Sequence, residues 1–271
     1  MKDNMKTQNQ TQIFYDFLAP RYDDYMGALS AMGALLLEEQ VEQQKRTDSF
    51  WKDLPPKARI LDCACGRGIL VLAWKQLGLD IQGSDLSEGM LSVARSNAQK
   101  LGIDAKFTQT AWEDLPQYFK EEFDFVLCLD NSLISVTDDD ALVRSVIGMR
   151  KVLKPGGICR IGLSAPIRLK EPGIPGGKFY LSVKENRKEV AFEIWESRED
   201  VRIQDLLWLT QEDGQWTLDT VRETLKMLTG DDLKKIMQEA GFPEVEFKEI
   251  RYPEGHVRAW VGIGRIPIAQ D

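Results

Sequence analysis

This chain predicts an α/β fold built on a doubly wound, mostly parallel sheet, and three observations carry that reading. Apolar strand-like runs alternate with amphipathic helical stretches from Arg59 to Leu163. Three of the strands end on an acid, Asp62, Asp85 and Asp130, at the edge where an open parallel sheet leaves its ligand crevice. Beyond Leu163 the alternation gives way to shorter runs split by polar turns, which describes an antiparallel β insertion after strand five.

The length of 271 residues suits one core domain with an insertion or lid. Lys+Arg 35 against Asp+Glu 43 leaves a formal charge of −8, whereas a general nucleic-acid binder carries a basic face. No apolar run approaches the ~20 residues that span a bilayer, and no signal-peptide core precedes the first polar residues. The expectation is a cytoplasmic protein that works on small molecules, with no nucleic-acid or membrane partner; a homo-oligomer stays open. Cys63, Cys65, Cys128 and Cys159 sit in or at the ends of apolar runs, as reduced thiols do. Cys63-x-Cys65 lacks a second Cys/His pair at finger spacing and the only histidine is His256, so no metal is expected.

Residues 1–50 read as an N-terminal arm and helical cap. Met1 to Thr11 is polar and without periodicity, as a frayed arm is. Ile13 to Tyr25 gathers aromatics in two helical pieces broken by Pro20, either docking on the core or bringing tyrosine hydroxyls over a ligand. Ala28 to Phe50 reads as one amphipathic helix, and Pro55-Pro56 leads into the core, 51–167. Core strands fall at Arg59–Asp62, Leu79–Asp85, Ala105–Thr110, Phe123–Asp130 and Ile158–Leu163, with helices at Leu70–Leu77, Glu88–Leu101 and Asp138–Leu153. Gly78 and Gly102 end the first two helices and Ser87 caps the second. Phe123–Asp130 is the continuous apolar run that a parallel sheet buries on both faces. The insertion, 168–230, opens on a Pro/Gly-rich loop and continues as strands Lys178–Lys184, Glu189–Ser197, Val201–Thr210 and Gly214–Thr229, stiffened by Trp195, Trp208 and Trp216. It lies on the substrate side. Residues 231–271 return to the core through a helix, Asp231–Ala240, and strands Val245–Arg251 and Arg258–Ile266.

The chemistry centres on Arg59-Ile60-Leu61-Asp62-Cys63-Ala64-Cys65-Gly66-Arg67-Gly68. A buried strand that runs into small residues and then a helix lays backbone N–H groups against a polar cofactor. Gly66 and Gly68 let a ligand approach the main chain. A pyrophosphate favours a neutral or positive lining, so Asp62 points instead to a ligand with a cationic part, such as an amino acid's ammonium. Asp85 follows Asp62 at close to the ~20-residue interval at which a second strand offers a carboxylate to a ribose diol. Ala111-Trp112-Glu113-Asp114 and Leu129-Asp130-Asn131-Ser132 are the loops beyond strands three and four.

That ordered set resembles the class I S-adenosylmethionine-dependent methyltransferases, whose first motif reads D-x-G/A-x-G-x-G. Within the class it is most similar to the glycine and sarcosine N-methyltransferases and related small-molecule enzymes. The resemblance implies a seven-stranded Rossmann-like sheet with a reversed final hairpin, S-adenosyl-L-methionine as cofactor, S-adenosyl-L-homocysteine as product, and no metal. By the same resemblance Asp62, Ala64, Cys65, Gly66 and Gly68 face the methionine part, Asp85 holds the ribose, Met90 flanks the adenine, and Ala111, Trp112 and Glu113 cover it. Leu86 and Leu129 join that set. Tyr22 or Tyr25 is similar to the tyrosine beside the transferred methyl, and Asn131 to the asparagine that meets the acceptor. The motif usually has Thr or Ser where Arg67 stands. The arginine that grips glycine's carboxylate falls near Ser164, leaving Arg168 as its nearest substitute, and the arginine on the cofactor's carboxylate falls near Met32. The implied function is methyl transfer to a small-molecule acceptor, an amine among the candidates, with glycine disfavoured.

A sulfonium already activates its methyl, so the protein has mainly to align acceptor, methyl and sulfur in a dry pocket. A neutral amine needs no base, whereas a phenol or hydroxyl wants one. His256 and Asp130 are candidates, against the plainer readings of a solvated loop histidine and a carboxylate that binds backbone. Two other classes stay open. One is a nicotinamide-dependent oxidoreductase, disfavoured by Asp62 and by Ala64 and Cys65 interrupting G-x-G-x-x-G; the other is a binding or regulatory protein on a methyltransferase fold.

Overall fold

Arg59–Asp62 (β1) is buried on both faces, and so are its neighbours, because the alternating side chains of a central parallel strand enter two different layers. The computed structural model describes residues 2–22, 54–55, 57–120, 122–164, 179–184, 187–251 and 257–268. After β1 come Asp80–Asp85 (β2), Phe107–Gln109 (β3), Phe123–Cys128 (β4), Leu153–Ser164 (β5), Phe179–Lys184 (β6), Arg187–Arg198 (β7), Val201–Glu212 (β8), Gln215–Lys226 (β9), Glu244–Arg251 (β10) and Val257–Arg265 (β11). The helices are Lys2–Leu18 (α1), Ile69–Gln76 (α2), Glu88–Leu101 (α3), Leu115–Tyr118 (α4), Asp139–Lys151 (α5) and Gly230–Glu239 (α6).

Seven strands form one sheet in the order β10-β11-β5-β4-β1-β2-β3. All pairs are parallel except those of β11, which runs antiparallel to both β5 and β10. This is the reversed final hairpin. Ile60, Phe125 and Leu127 point into a layer shared with Val71, Trp74 and Leu91 of α2 and α3. Leu61, Val126 and Cys128 point the other way, against Leu142 and Met149 of α5 and Leu233 of α6. Two covered faces make the sheet doubly wound. Residues Lys154–Gly157, between the expected helix and strand five, lie within β5 as a bulge, since Phe123 pairs with Leu153 but Phe125 with Ile158, and Gly156 takes φ +79.

The insertion is a separate antiparallel meander, β6-β7-β8-β9. Its inner face buries Ala191, Leu206 and Trp208 against Phe14 and Leu18 of α1. Trp208 is thus core, packed edge-on to Phe17 at 6.4 Å, while Trp216 is exposed on the outer face, as are Leu218 and Phe192. The polar segment expected to fray is helical from Lys2. Docking of its C-terminal half supplies the costly helical nucleus, and the Lys, Gln and Met residues before it propagate the helix well. Pro20 then ends α1 in a single 3-10 turn, Ala19–Arg21. The expected helix Ala28–Phe50, Pro56 and the loop 168–177 lie outside the described residues. Among the described residues no helix is long and apolar enough to cross a membrane.

One carboxylate ties α1 to the core. Asp16 Oδ1 accepts from Ser87 Oγ at 2.5 Å and from the Gly89 N–H at 2.8 Å, while Ser87 Oγ itself caps α3 by accepting from the Met90 N–H. Asp16→Ala leaves two donors without their acceptor and should lower stability by ~1–3 kcal/mol. The urea midpoint reads this, and an unmoved midpoint would contradict the docking role.

Candidate cofactor site

The carboxyl edge of β1 is held tightly on both sides. The Cys63 N–H donates to Leu127 O at 2.8 Å and the Cys65 N–H to Ser84 O at 3.0 Å, so the turn after Asp62 is fixed to β4 and β2. Gly66 has φ +50, and a Cβ there would meet open space; its N–H donates to Asp85 Oδ2 at 2.8 Å. Gly68 serves a different purpose. It has φ +78, and a Cβ would come within 2.8 Å of the Phe107 ring, so its lack of a side chain lets the turn pack on β3. The neighbouring loop is pinned by Trp112, whose Nε1–H donates to Cys63 O at 2.6 Å.

A cavity of about 540 Å³ opens over these strand ends. Asp62, Ala64, Cys65, Gly66, Asp85, Leu86, Met90, Ala111, Trp112 and Leu129 all line it, and so does Tyr22. Gly68 and Glu113 are not on its wall; Glu113 instead meets Arg144, Nε to Oε2 3.3 Å. Asn131 is also off the wall, with its Oδ1 accepting from the Ser164 N–H at 3.0 Å. Asp130 and Asn131 take left-handed backbone, φ 54 and 69, which swings the chain from β4 into the 3-10 turn Ser132–Ser135. Tyr25, Arg168 and His256 lie outside the described residues, as does Met32.

The wall carries three carboxyls, Asp62, Asp85 and Asp130, and two arginines, Arg67 and Arg160. Asp62 is pushed up to about 7, first by burial and then by the charges of Asp130 and Asp85, against a long 3.3 Å bond from the Ala64 N–H. Burial also raises Asp85, opposed by N–H groups of Ser87 at 2.9 Å and Gly66. Asp130 is raised by burial alone. Arg67 is only 7 % exposed, lines the cavity and stacks over Tyr22 at 5.2 Å from the ring centre. It does not point to solvent. Burial lowers its pKa, and burial raises that of Tyr22.

Sequence reasoning missed Ser135 and Arg160 on the same wall, and it reached Tyr15, also on the wall, only as a member of the aromatic run Ile13–Tyr25. Arg160 was legible as a lone charge inside an apolar strand run; Ser135 carried no signal. Among the described residues no group of three or more His, Cys, Asp or Glu is placed to hold a metal ion.

Residues 60–157 match the family described as a methyltransferase domain. Over 99 residues the chain is 36% identical to the ubiquinone biosynthesis O-methyltransferase of Pseudomonas entomophila, a match covering 36% of this chain and 41% of that enzyme. The chain therefore spans less than half the length of the curated relatives it matches. A solved S-adenosylmethionine-dependent methyltransferase from Clostridium acetobutylicum superposes with TM-score 0.63 over 96% of this chain and 98% of its own, at 16% identity. An amino pentose methyltransferase from Micromonospora echinaspora, solved with S-adenosylmethionine bound, gives TM-score 0.62 over 86% and 91%, at 18% identity. Residues 60–157 thus match a methyltransferase domain in sequence, and the fold over nearly the whole length is that of solved S-adenosylmethionine-dependent methyltransferases.

Proposed function

We propose that the cavity binds S-adenosylmethionine and that the protein transfers its methyl group to a small-molecule acceptor, an amine in preference to a phenol or alcohol. The observation that carries the reading is Asp62, a buried carboxyl on the cavity wall for which the described residues offer no cation. Such a group is costly unless a ligand brings the countercharge. The fit to the donor follows from the chemistry of the wall. Asp62 takes the ammonium of the methionine part, Arg67 its carboxylate, and the open face of Gly66 admits its backbone-like atoms. Asp85, already holding two N–H groups, keeps lone pairs for two ribose hydroxyls. Met90 and Trp112 flank the adenine.

When bound, this donor supplies a methyl made electrophilic by positive sulfur. The residues of the chain do the rest: Asp62, Asp85 and Asp130 set a negative field that favours a cationic ligand, and Leu129, Tyr22 and Trp112 exclude water from the path of attack. The amine preference follows from the same field, which favours cationic acceptors over neutral or anionic ones. Asp85→Ala should weaken S-adenosylmethionine binding by ~1–3 kcal/mol, about 5- to 150-fold in Kd, in calorimetry. Undiminished binding would sink the assignment.

A further inference from the structure

We propose that Glu223, acting through the Ser135 hydroxyl, receives the proton of a cationic amine acceptor. Ser135 is then the catalytic residue and Glu223 a positioning residue behind it. The inference rests on the methyl-transfer reading and deepens it. Ser135 lines the cavity, and its Oγ donates to Glu223 Oε1 at 3.2 Å. Glu223 lies on the inner face of β9, only 2 % exposed, and no cation among the described residues pairs with it. Packing alone would place an apolar side chain there, as Ala191 and Leu206 do on the same sheet face.

The neighbouring acids show the contrast. Glu189 is buried on that face too, but Arg187 meets it at 2.7 Å and the Trp208 Nε1–H donates to it. Glu193 holds Gln204 Nε2 at 3.1 Å through Oε1, while its Oε2 is buried without a hydrogen-bond partner. The titratable groups facing Glu223 are Tyr15 of α1 and Glu193 of β7, with Arg202 of β8 beside Glu193. Tyr15, also on the cavity wall, is raised first by the Glu223 charge. Burial pushes Glu223 up to about 8 against the pull of the Ser135 and Thr11 hydroxyls, so its affinity for a proton suits exchange with an ammonium near neutral pH.

The proton path balances. An N–H proton of the ammonium passes to Ser135 Oγ as Ser135 passes its own hydrogen to the Glu223 carboxylate. The freed nitrogen lone pair forms the new N–C bond, the C–S bond of the donor breaks, and its electron pair stays on sulfur. Glu223 gives the proton up to solvent as the next ammonium enters, so that the carboxylate facing Ser135 is ionised again.

The test compares wild type, Glu223→Gln and Ser135→Ala, each first titrated with S-adenosylmethionine. Both variants should bind it within about twofold of wild type, which also shows that they fold; failure of wild type to bind would overturn the methyl-transfer reading itself. A panel of small primary and secondary amines, phenols and alcohols is then assayed from pH 6 to 10 with labelled donor. Amines should be turned over by wild type, with kcat/KM rising through about 8. In Glu223→Gln, kcat/KM at pH 7 should fall about 100-fold, within the range of general acid–base contributions, and the rising limb should move up to the amine's own pKa. Ser135→Ala should lower kcat at least about tenfold. Amine uptake by the S-adenosylhomocysteine complex, titrated in two buffers of different ionisation heat, should release a proton in wild type and none in Glu223→Gln. An unmoved pH limb in Glu223→Gln, turnover of phenols but not amines, or no amine uptake by a protein that binds the donor would each overturn the proposal.

Discussion

Asparagine at position 62 is expected to cut S-adenosylmethionine affinity by ~3–5 kcal/mol, the cost of leaving a buried charge without its partner. The substitution preserves shape and the bond from the Ala64 N–H, so the loss isolates charge. The pH dependence has a fixed sign. Asp62 holds its proton up to about 7 in the free cavity, and an ammonium needs the ionised form. Wild-type affinity should therefore rise about tenfold per unit as pH climbs towards about 7 and level off above it, while the Asp62→Asn profile stays flat over that window. Stability moves the opposite way. Because the folded pKa lies above the ordinary 3.8, the free protein binds more protons than the unfolded chain between the two values, and stability falls as pH rises from 3.8 through about 7. At pH 8, ligand-free Asp62→Asn should thus melt above wild type even though it binds the donor far more weakly. Loss of stability together with loss of binding would mark Asp62 as structural.

Arg67→Met should lower S-adenosylmethionine affinity by ~1.5–3 kcal/mol, roughly 10- to 150-fold, the range of a hydrogen bond to a charged group. Methionine keeps much of the packing over Tyr22 and removes the guanidinium. A decarboxylated donor separates the two contributions. If Arg67 holds the carboxylate, that analogue should bind wild type and Arg67→Met alike; if Arg67 only supports Tyr22, both ligands should weaken together.

Arg67 also shows how far the sequence could be read. Strand ends, acids and glycines follow local rules of period and backbone conformation, so β1, β2, β4 and the turn after Asp62 were legible, as was the meander after β5. Whether an arginine in that turn faces ligand or solvent depends on what packs over it. Tyr22, brought in by a helix end some forty residues earlier in the chain, decides that. Gly68 shows the limit from the other side: its motif position suggested ligand approach, and its space is taken by Phe107 from β3. Glu223 and Ser135 lie far apart in sequence, on a meander strand and a 3-10 turn, and only tertiary packing brings them to 3.2 Å. No periodicity announces such a pair. Asn131 had a plausible role by resemblance; here its amide oxygen is engaged by the Ser164 N–H, and the polar groups of this wall come instead from Ser132 and Ser135.

The most direct test of the cofactor assignment is calorimetric titration of the wild-type protein at pH 8 with S-adenosylmethionine and, in parallel, with a nicotinamide dinucleotide. The acidic cavity with Asp62 ionised and Arg67 inward predicts saturable one-site binding of the first and no measurable binding of the second. Binding of the dinucleotide, or none of S-adenosylmethionine, would contradict it.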